Sequence, residues 1–165
     1  ASPDPVIVFE PISLYNMEGG LTEAAGNVRL EGAAVRRAGR DLTLVTYGAS
    51  LWRCAVAAEE LAKDGIEAEI IDLRSLRPLD DRTILESVCR TRRVVIVDEG
   101  WRTGGLSAEI AMRIVEQGFY DLDAPVARVC TEEVPIPYPR HLEEAALPGP
   151  ARIVATVKRL LRDAR

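Results

Sequence analysis

Three loops of this sequence combine glycine with polar side chains that could bind a ligand. They are TYGAS (46–50), DLRSLRP (72–78) and DEGWRTGG (98–105). The third places Gly100, Gly104 and Gly105 just before a predicted helix, where backbone N–H groups could hold an anion with help from Arg102. Its spacing matches neither the dinucleotide-binding motif nor the P-loop. A tight turn therefore explains these glycines better than an anion site.

The residues that could act in acid–base or nucleophilic catalysis are poorly placed. Asp98 and Glu99 are adjacent on a predicted strand, so their carboxylates point to opposite faces of the sheet. Ser50 lacks the flanking glycines of a nucleophile elbow and is predicted to cap the helix that follows. His141 is the only histidine, and it follows a proline-rich stretch where a packing or surface role is more typical. These residues alone predict no catalytic site.

Composition argues against several other classes of protein. The 165 residues include 21 Lys and Arg against 26 Asp and Glu, and a net charge of -5 disfavours a nucleic-acid partner. The three cysteines form no C-x-x-C pair, which disfavours both a zinc site and a disulfide framework. Apolar runs are too short to cross a bilayer, and the first residues do not resemble a signal peptide. We therefore expect a cytoplasmic protein without a membrane partner.

The elements that would position these loops begin at residue 41. Apolar runs predict strands at 42–47, 67–73, 94–99 and 125–130, with amphipathic helices between them and a last helix that begins at Pro150. Strands that are apolar on both faces indicate a mainly parallel sheet covered by helices on both sides. The predicted fold class is therefore a three-layer α/β domain. Residues 6–9 predict a short buried strand, whereas 10–40 show no sustained period.

Several single residues follow from the helical spacing. Cys54 and Cys89 fall on the apolar stripes of the first two helices and are predicted to be core residues. Gly65 is predicted to end the first helix, and Asp80 to cap the second. Trp52 lies beside an apolar stripe and Trp101 lies in a strand-to-helix loop. Either tryptophan could be an interface anchor or a core residue.

Four sequence blocks, in the same order, resemble a known family. They are DLRSLRPLD (72–80), VVIVDEGWRTGGLSAEI (94–110), LDAPVARVC (122–130) and VPIPYPRHLEEAALP (134–148). The blocks are similar to the beta subunit of the thiamine-diphosphate-dependent 2-oxoacid dehydrogenases, and most similar to pyruvate dehydrogenase beta chains. The resemblance covers nearly the whole chain, and it implies an oxidoreductase that works within a multienzyme complex.

The resemblance implies a division of the chain and a division of labour. Residues 41–165 correspond to the transketolase-type C-terminal domain, and 1–40 to the end of the pyrimidine-binding domain with its linker. The family's catalytic glutamate and histidine lie in the preceding half, and its alpha subunit holds the diphosphate and magnesium. We therefore expect this chain to contain no catalytic residue, to bind no cofactor or metal, and to be inactive alone. Thiamine diphosphate and magnesium would belong to the complete enzyme.

The resemblance also implies partners. They are the alpha subunit, a second beta subunit and the subunit-binding domain of the acyltransferase core. Asp123, in the Leu-Asp-Ala-Pro block, corresponds to a family aspartate that meets an arginine of the acyltransferase, although a solvated loop aspartate is the simpler interpretation. Trp101, Leu106 and Ile110 are predicted to face a partner domain, with packing onto their own sheet as the alternative.

Two other hypotheses remain open at this point. The chain could be a stand-alone, non-catalytic binding module of the same fold. It could also be the C-terminal domain of a transketolase or a deoxyxylulose-phosphate synthase, although the block 134–148 argues against that assignment. The sequence does not specify which 2-oxoacid the complete enzyme would use.

Overall fold

The computed structural model describes residues 5–15, 18 and 32–163. Five strands are present: β1 (Ala34–Arg37), β2 (Leu42–Thr46), β3 (Ala68–Asp72), β4 (Val94–Trp101) and β5 (Ala127–Thr131). Five α-helices accompany them: α1 (Ser50–Lys63), α2 (Asp81–Thr91), α3 (Leu106–Gly118), α4 (Arg140–Ala146) and α5 (Pro150–Asp163). Short 3₁₀ turns occupy Ile12–Leu14 and Phe119–Asp121. The predicted alternation of strands and helices from β2 onward is confirmed.

The strands form one sheet in the order β1-β3-β2-β4-β5. β2 pairs in parallel with both β3 and β4, β4 pairs in parallel with β5, and only β1 is antiparallel. The chain leaves β2 for β3 on one side and later crosses to β4 on the other. The loops after β2 and β4 therefore lie side by side at the carboxyl edge of the sheet, where this class of fold commonly binds ligands.

Alternate residues of each strand pack into two separate hydrophobic cores, one on each face of the sheet. Leu42, Leu44, Val95 and Val97 face α1 and α5 on one side of the sheet. Residues of the opposite parity, including Val45 and Ile96, face α2 and α3 on the other side. β2 and β3 are buried along their whole length, which explains why they lack the apolar–polar alternation of a one-sided sheet. The predicted three-layer architecture is confirmed.

Two of the three predicted helix ends, at Gly65 and Asp80, agree with the structure, and the third, at Ser50, differs. Gly65 follows α1 with φ of 76°, a left-handed conformation that glycine adopts without strain. The side chain of Asp80 accepts a hydrogen bond from the Thr83 N–H, as an N-cap does. The prediction that Ser50 caps α1 was wrong. Ser50 is already the first helical residue, and Ala49 precedes it without a side-chain cap.

β1 is the strand that the periodicity did not predict. Its sequence, AVRR, contains little apolar surface, and it lies at the edge of the sheet. Two N–H groups of the Arg36 guanidinium help to hold it, because both donate to Oδ2 of Asp72, at 3.0 and 2.8 Å. The sheet therefore begins before the boundary predicted at residue 41. Much of the segment 10–40, which the sequence predicted to be irregular, lies outside the described residues.

Residues 6–9 do not form the buried strand predicted for them. Val6, Ile7, Val8 and Phe9 are all more than two-thirds exposed and belong to no strand. An apolar run becomes a buried strand only where a neighbouring strand pairs with it, and none of the described strands does so here. Their assignment to a preceding domain remains a prediction.

Candidate functional site

Asp98 is the centre of the carboxyl-edge structure between β2 and β4. Its side chain is 1% exposed. Its Oδ1 accepts hydrogen bonds from the Tyr47 hydroxyl and the Gly100 N–H, each at 2.7 Å, and its Oδ2 accepts one from the Ser107 N–H at 3.0 Å. The carboxylate thus accepts from the Ser107 N–H at the start of α3 and from the Gly100 N–H before it. A bound anion would need these same N–H groups. The tight-turn interpretation of this glycine-rich loop agrees with these contacts.

The neighbouring groups support the same conclusion. Burial and the hydrogen bond to Asp98 raise the pKa of Tyr47 well above its usual range, so its hydroxyl stays protonated. The Glu99 side chain points to the other face and contacts Arg53 at 3.2 Å. Asp98 and Glu99 therefore do not form a catalytic pair, as their adjacency on a strand predicts.

The loop that follows Asp98 is closely packed. A Cβ added to Gly105 would lie 2.0 Å from the backbone oxygen of Trp101, so glycine is required there by a close backbone approach. Gly104 has φ of 69°, a conformation that a side chain would strain. Trp101 itself is 49% exposed, which makes it one of the larger apolar surfaces at this edge. The loop holds the indole at the surface on a rigid backbone.

The other two residues predicted to accompany Trp101 at an interface are placed differently. Ile110 is fully buried in the core between α3 and its own sheet, so the prediction that it faces a partner was wrong. Leu106 is partly buried against the same core. Both lie on the inward stripe of α3, because the helix must bury that stripe to cover the sheet. Only Trp101 retains an exposed surface for a partner.

Asp123 lies at the turn before β5 and already has partners within the chain. Its carboxylate contacts the Arg92 guanidinium at 2.8 Å and that of Arg93 at 3.6 Å. Its N–H donates to the Arg92 backbone oxygen at 2.8 Å. Asp123 is therefore not a solvated loop aspartate without partners, and its assignment to docking stays a prediction. The side chain remains 32% exposed, so another group can still reach it.

A shallow apolar groove runs beside Asp123, between α3 and the chain leading into β5. Its volume is about 730 Å³. Met112, Phe119 and Tyr120 contribute exposed side chains, and Tyr120 is 92% exposed. Sequence reasoning did not identify this groove, because Phe119 and Tyr120 lie in a 3₁₀ turn after the helical periodicity has ended.

The remaining candidates have structural or surface positions. Cys54 is fully buried, which confirms the prediction, and burial raises the pKa of its thiol to about 12. Cys89 is exposed and its thiol contacts Asp121 at 3.2 Å, so its assignment to the core was wrong. His141 is exposed on α4, and Trp52 is half exposed on α1.

The described residues contain neither a metal-binding cluster nor a membrane-spanning helix. Within the described ranges, no group of three or more histidine, cysteine, aspartate or glutamate side chains could hold a metal ion. No helix in the described part of the chain has the length and apolarity to cross a membrane.

The architecture is that of a three-layer α/β domain. At the carboxyl edge of its sheet, between β2 and β4, the Asp98 side chain occupies the place where this class of fold commonly binds ligands. Residues 31–153 match the family model of the transketolase C-terminal domain. The chain therefore belongs to the transketolase C-terminal domain family.

Similar proteins include the mitochondrial pyruvate dehydrogenase E1 component subunit beta of Dictyostelium discoideum. It is 40% identical over 95% of this chain and 45% of its own length. Subunit beta of the acetoin:2,6-dichlorophenolindophenol oxidoreductase of Cupriavidus necator is also 40% identical, over 98% of this chain and 48% of its own length. A solved structure of a split gene transketolase, an inactive beta4 tetramer, superposes with a TM-score of 0.73 at 30% identity, over 84% of this chain and 45% of that one. The chain spans about half the length of the curated relatives it matches.

Proposed function

We propose that this chain is the C-terminal domain of the beta subunit of a 2-oxoacid dehydrogenase, and that it serves assembly and docking. The observation that carries the proposal is the 40% identity, over nearly the whole chain, to the beta subunit of a pyruvate dehydrogenase. Pyruvate is the proposed substrate of the complete enzyme, which would decarboxylate the 2-oxoacid and acylate lipoyl groups. The Cupriavidus relative, named for acetoin, makes acetoin the competing substrate.

The proposal assigns thiamine diphosphate and magnesium to other parts of the complete enzyme. The most buried carboxylate at the carboxyl edge, Asp98, has both oxygens engaged by Tyr47, Gly100 and Ser107. The Asp98 oxygens are therefore not free to bind magnesium, and the groups that donate to them are not free to bind a diphosphate. The residues at this edge do not fit a magnesium diphosphate group. A cytoplasmic location remains a prediction, since the Dictyostelium relative is mitochondrial.

This assignment has a direct test. Calorimetric titration of the isolated chain with thiamine diphosphate and magnesium should give no saturable heat. Micromolar binding would contradict the assignment, because it would require a cofactor site within this domain.

The surface supports a role in association. Trp101 presents a half-exposed indole on a rigid loop, and tryptophan is among the residues most enriched at the energetic centres of interfaces. The apolar groove with Met112, Phe119 and Tyr120 adds a second exposed surface. We assign Trp101 to contacts with the alpha subunit or a second beta subunit. Asp123, beside the groove, is assigned to the subunit-binding domain of the acyltransferase, whose arginine would share the carboxylate with Arg92.

The assembly role is tested with the complete beta polypeptide co-expressed with its alpha subunit. Light scattering should show a complex of two alpha and two beta chains, and Trp101→Ala should reduce its mass at micromolar concentration. The melting temperature of the isolated chain should change by much less. Tyr138→Ala is the matched control, because Tyr138 is a fully exposed aromatic residue outside these surfaces. A large fall in melting temperature with intact assembly would instead show that Trp101 is a core residue.

A second candidate is supported by the structural similarity to the split gene transketolase. The lower identity, 30% against 40%, favours the dehydrogenase. Reduction of an artificial electron acceptor by the complete enzyme with pyruvate separates the two, because a transketolase transfers a ketol group without net oxidation. A third hypothesis, a stand-alone binding module, predicts a native polypeptide of this length. The dehydrogenase predicts one about twice as long.

A further inference from the structure

A polar cleft lies at the carboxyl end of β5, the edge strand that pairs with β4. Its volume is about 440 Å³, within the range of small-molecule sites. Three arginines and two glutamates line it together with Cys130 and Thr131: Arg102, Arg128, Arg152, Glu132 and Glu133. Positive groups therefore outnumber negative ones here, although the whole chain has a net charge of -5.

Two of these arginines hold each other in place through the main chain. The Arg102 guanidinium donates to the Arg128 backbone oxygen at 3.1 Å, and the Arg128 guanidinium donates to the Arg102 backbone oxygen at 2.9 Å. Each bond uses one N–H of a group that carries five. This reciprocal pair fixes two guanidinium groups beside one cleft. Because both side chains are already held, a ligand that binds them loses less of its binding free energy to ordering them.

The carboxylates of the cleft are already engaged. Glu132 pairs with Arg152 at 2.8 Å. Glu133 interacts electrostatically with Arg102, and it accepts the Thr103 N–H at 2.8 Å. Among the residues that the structure describes, neither Arg102 nor Arg128 forms an ion pair within 4 Å of a carboxylate. Both guanidinium groups can therefore still pair with an external anion, and within the described part of the chain only that of Arg102 has a nearby carboxylate, Glu133.

The third arginine forms the floor of the cleft. Arg152 donates to the backbone oxygens of Cys130, Ala146 and Leu147 at 3.0 to 3.4 Å. It thereby ties the start of α5 to the end of β5, and these bonds restrict its movement. A planar guanidinium with several donors suits phosphate and carboxylate oxygens, which it can contact in pairs.

We propose that this cleft binds the oxyanion of a small molecule, a phosphate or a carboxylate group, through Arg102 and Arg128. The concave shape and ligand-sized volume favour a small molecule over a flat protein surface. The site takes Arg102 from the loop 98–105, but it does not use the Gly100 N–H, which donates to Asp98. The proposal does not rest on the proposed dehydrogenase function and uses neither Trp101 nor Asp123, although Arg128 also lines the apolar groove beside Asp123.

The test is a nuclear magnetic resonance titration of the ¹⁵N-labelled chain with inorganic phosphate, pyrophosphate or succinate at constant ionic strength. Sodium chloride replaces the anion in the reference series. Saturable shifts are expected at Thr103, Thr131 and Glu133, with a Kd on the order of 1 mM for the better anion. Preference for phosphate or for succinate identifies which oxyanion the cleft takes.

Substitutions locate the site. Arg128→Gln and Arg102→Gln should each weaken binding at least about tenfold. The affinity of Arg128→Lys should lie between those of Arg128→Gln and the wild type, because lysine keeps the charge but lacks the paired N–H donors of a guanidinium. Arg159→Gln, on the exposed face of α5 outside the cleft, should change binding less than about twofold. Melting temperatures identify any variant that is unfolded, and the other variant then carries the test. Shifts no larger than with chloride, or equal affinities for all variants, would overturn the proposal.

Discussion

Asp98 lies within β4 and Asp123 lies in the turn before β5, and the surroundings of these two carboxylates differ. Asp98 is buried, and its hydrogen-bond partners are the Tyr47 hydroxyl and two backbone N–H groups. Asp123 is one-third exposed, and its side-chain partners are two arginines that are also partly exposed. A buried carboxylate with neutral donors organises the fold, whereas an exposed ion pair can exchange its partner. This difference is why we propose Asp123, and not Asp98, as a docking residue.

Removing the buried carboxylate is expected to have the largest effect. Asp98→Ala would leave the N–H groups of Gly100 and Ser107 and the Tyr47 hydroxyl without an acceptor. Each orphaned buried donor costs about 1 kcal/mol or more, so the free energy of unfolding should fall by about 3 kcal/mol. Urea denaturation measures the change.

The adjacent residue provides a matched control for this variant. Glu99→Ala removes a carboxylate from the same strand, but one whose ion pair with Arg53 is partly exposed. Its cost should stay below about 1 kcal/mol. If the two alanine variants lost equal stability, the buried acceptor role of Asp98 would be wrong.

Removing one donor to Asp98 is expected to have an intermediate effect. Tyr47→Phe deletes the hydroxyl that donates at 2.7 Å and should cost about 1 kcal/mol near neutral pH. Because the folded-state pKa of Tyr47 is raised, its stabilising contribution is complete below the unfolded pKa of about 10 and is lost as pH rises above it. The wild type should therefore lose more stability than Tyr47→Phe between pH 9 and 11.

Unfolding free energies of both proteins at several pH values in this window test the linkage. The control is Tyr120→Phe, which removes a hydroxyl from an exposed tyrosine outside this cluster. Parallel curves for the wild type and Tyr47→Phe would mean that Tyr47 titrates normally in the folded protein.

Neutralising the exposed carboxylate is expected to have the smallest effect on stability. Asp123→Asn weakens the ion pairs with Arg92 and Arg93, which lie in a partly solvated setting, and should cost less than about 1 kcal/mol. The loss should shrink further at high salt, because exposed charges are screened. Thermal denaturation at two salt concentrations measures it. A loss comparable to that of Asp98→Ala would remove the contrast between the two aspartates.

The repeating part of the fold was predictable because burial imposes a period on the sequence. β2 to β5 and the helices between them each bury a regular set of apolar residues, so their order and type follow from spacing. β1 and α4 were missed because neither has such a set. β1 depends on the pairing of Arg36 with Asp72, and α4 buries only Ala146.

The candidate site was predictable only in part. The sequence correctly singled out the loop 98–105, because three glycines next to a strand indicate a tight turn. It did not show that Asp98 occupies the donors of that turn, or that Arg102 reaches Arg128. These contacts join residues up to 51 positions apart, and spacing along the chain does not encode them.

The sequence by itself determined the alternation of elements, the fully buried strands and the family resemblance, since each depends on local pattern and residue identity. The tertiary structure alone decided which charges are paired and which apolar residues stay exposed. Ile110 and Trp101 are only nine positions apart, yet Ile110 is buried between α3 and the sheet, whereas Trp101 remains half exposed. The reason is physical: exposure and charge pairing depend on the elements that pack around a residue, and those elements meet only when the sheet forms.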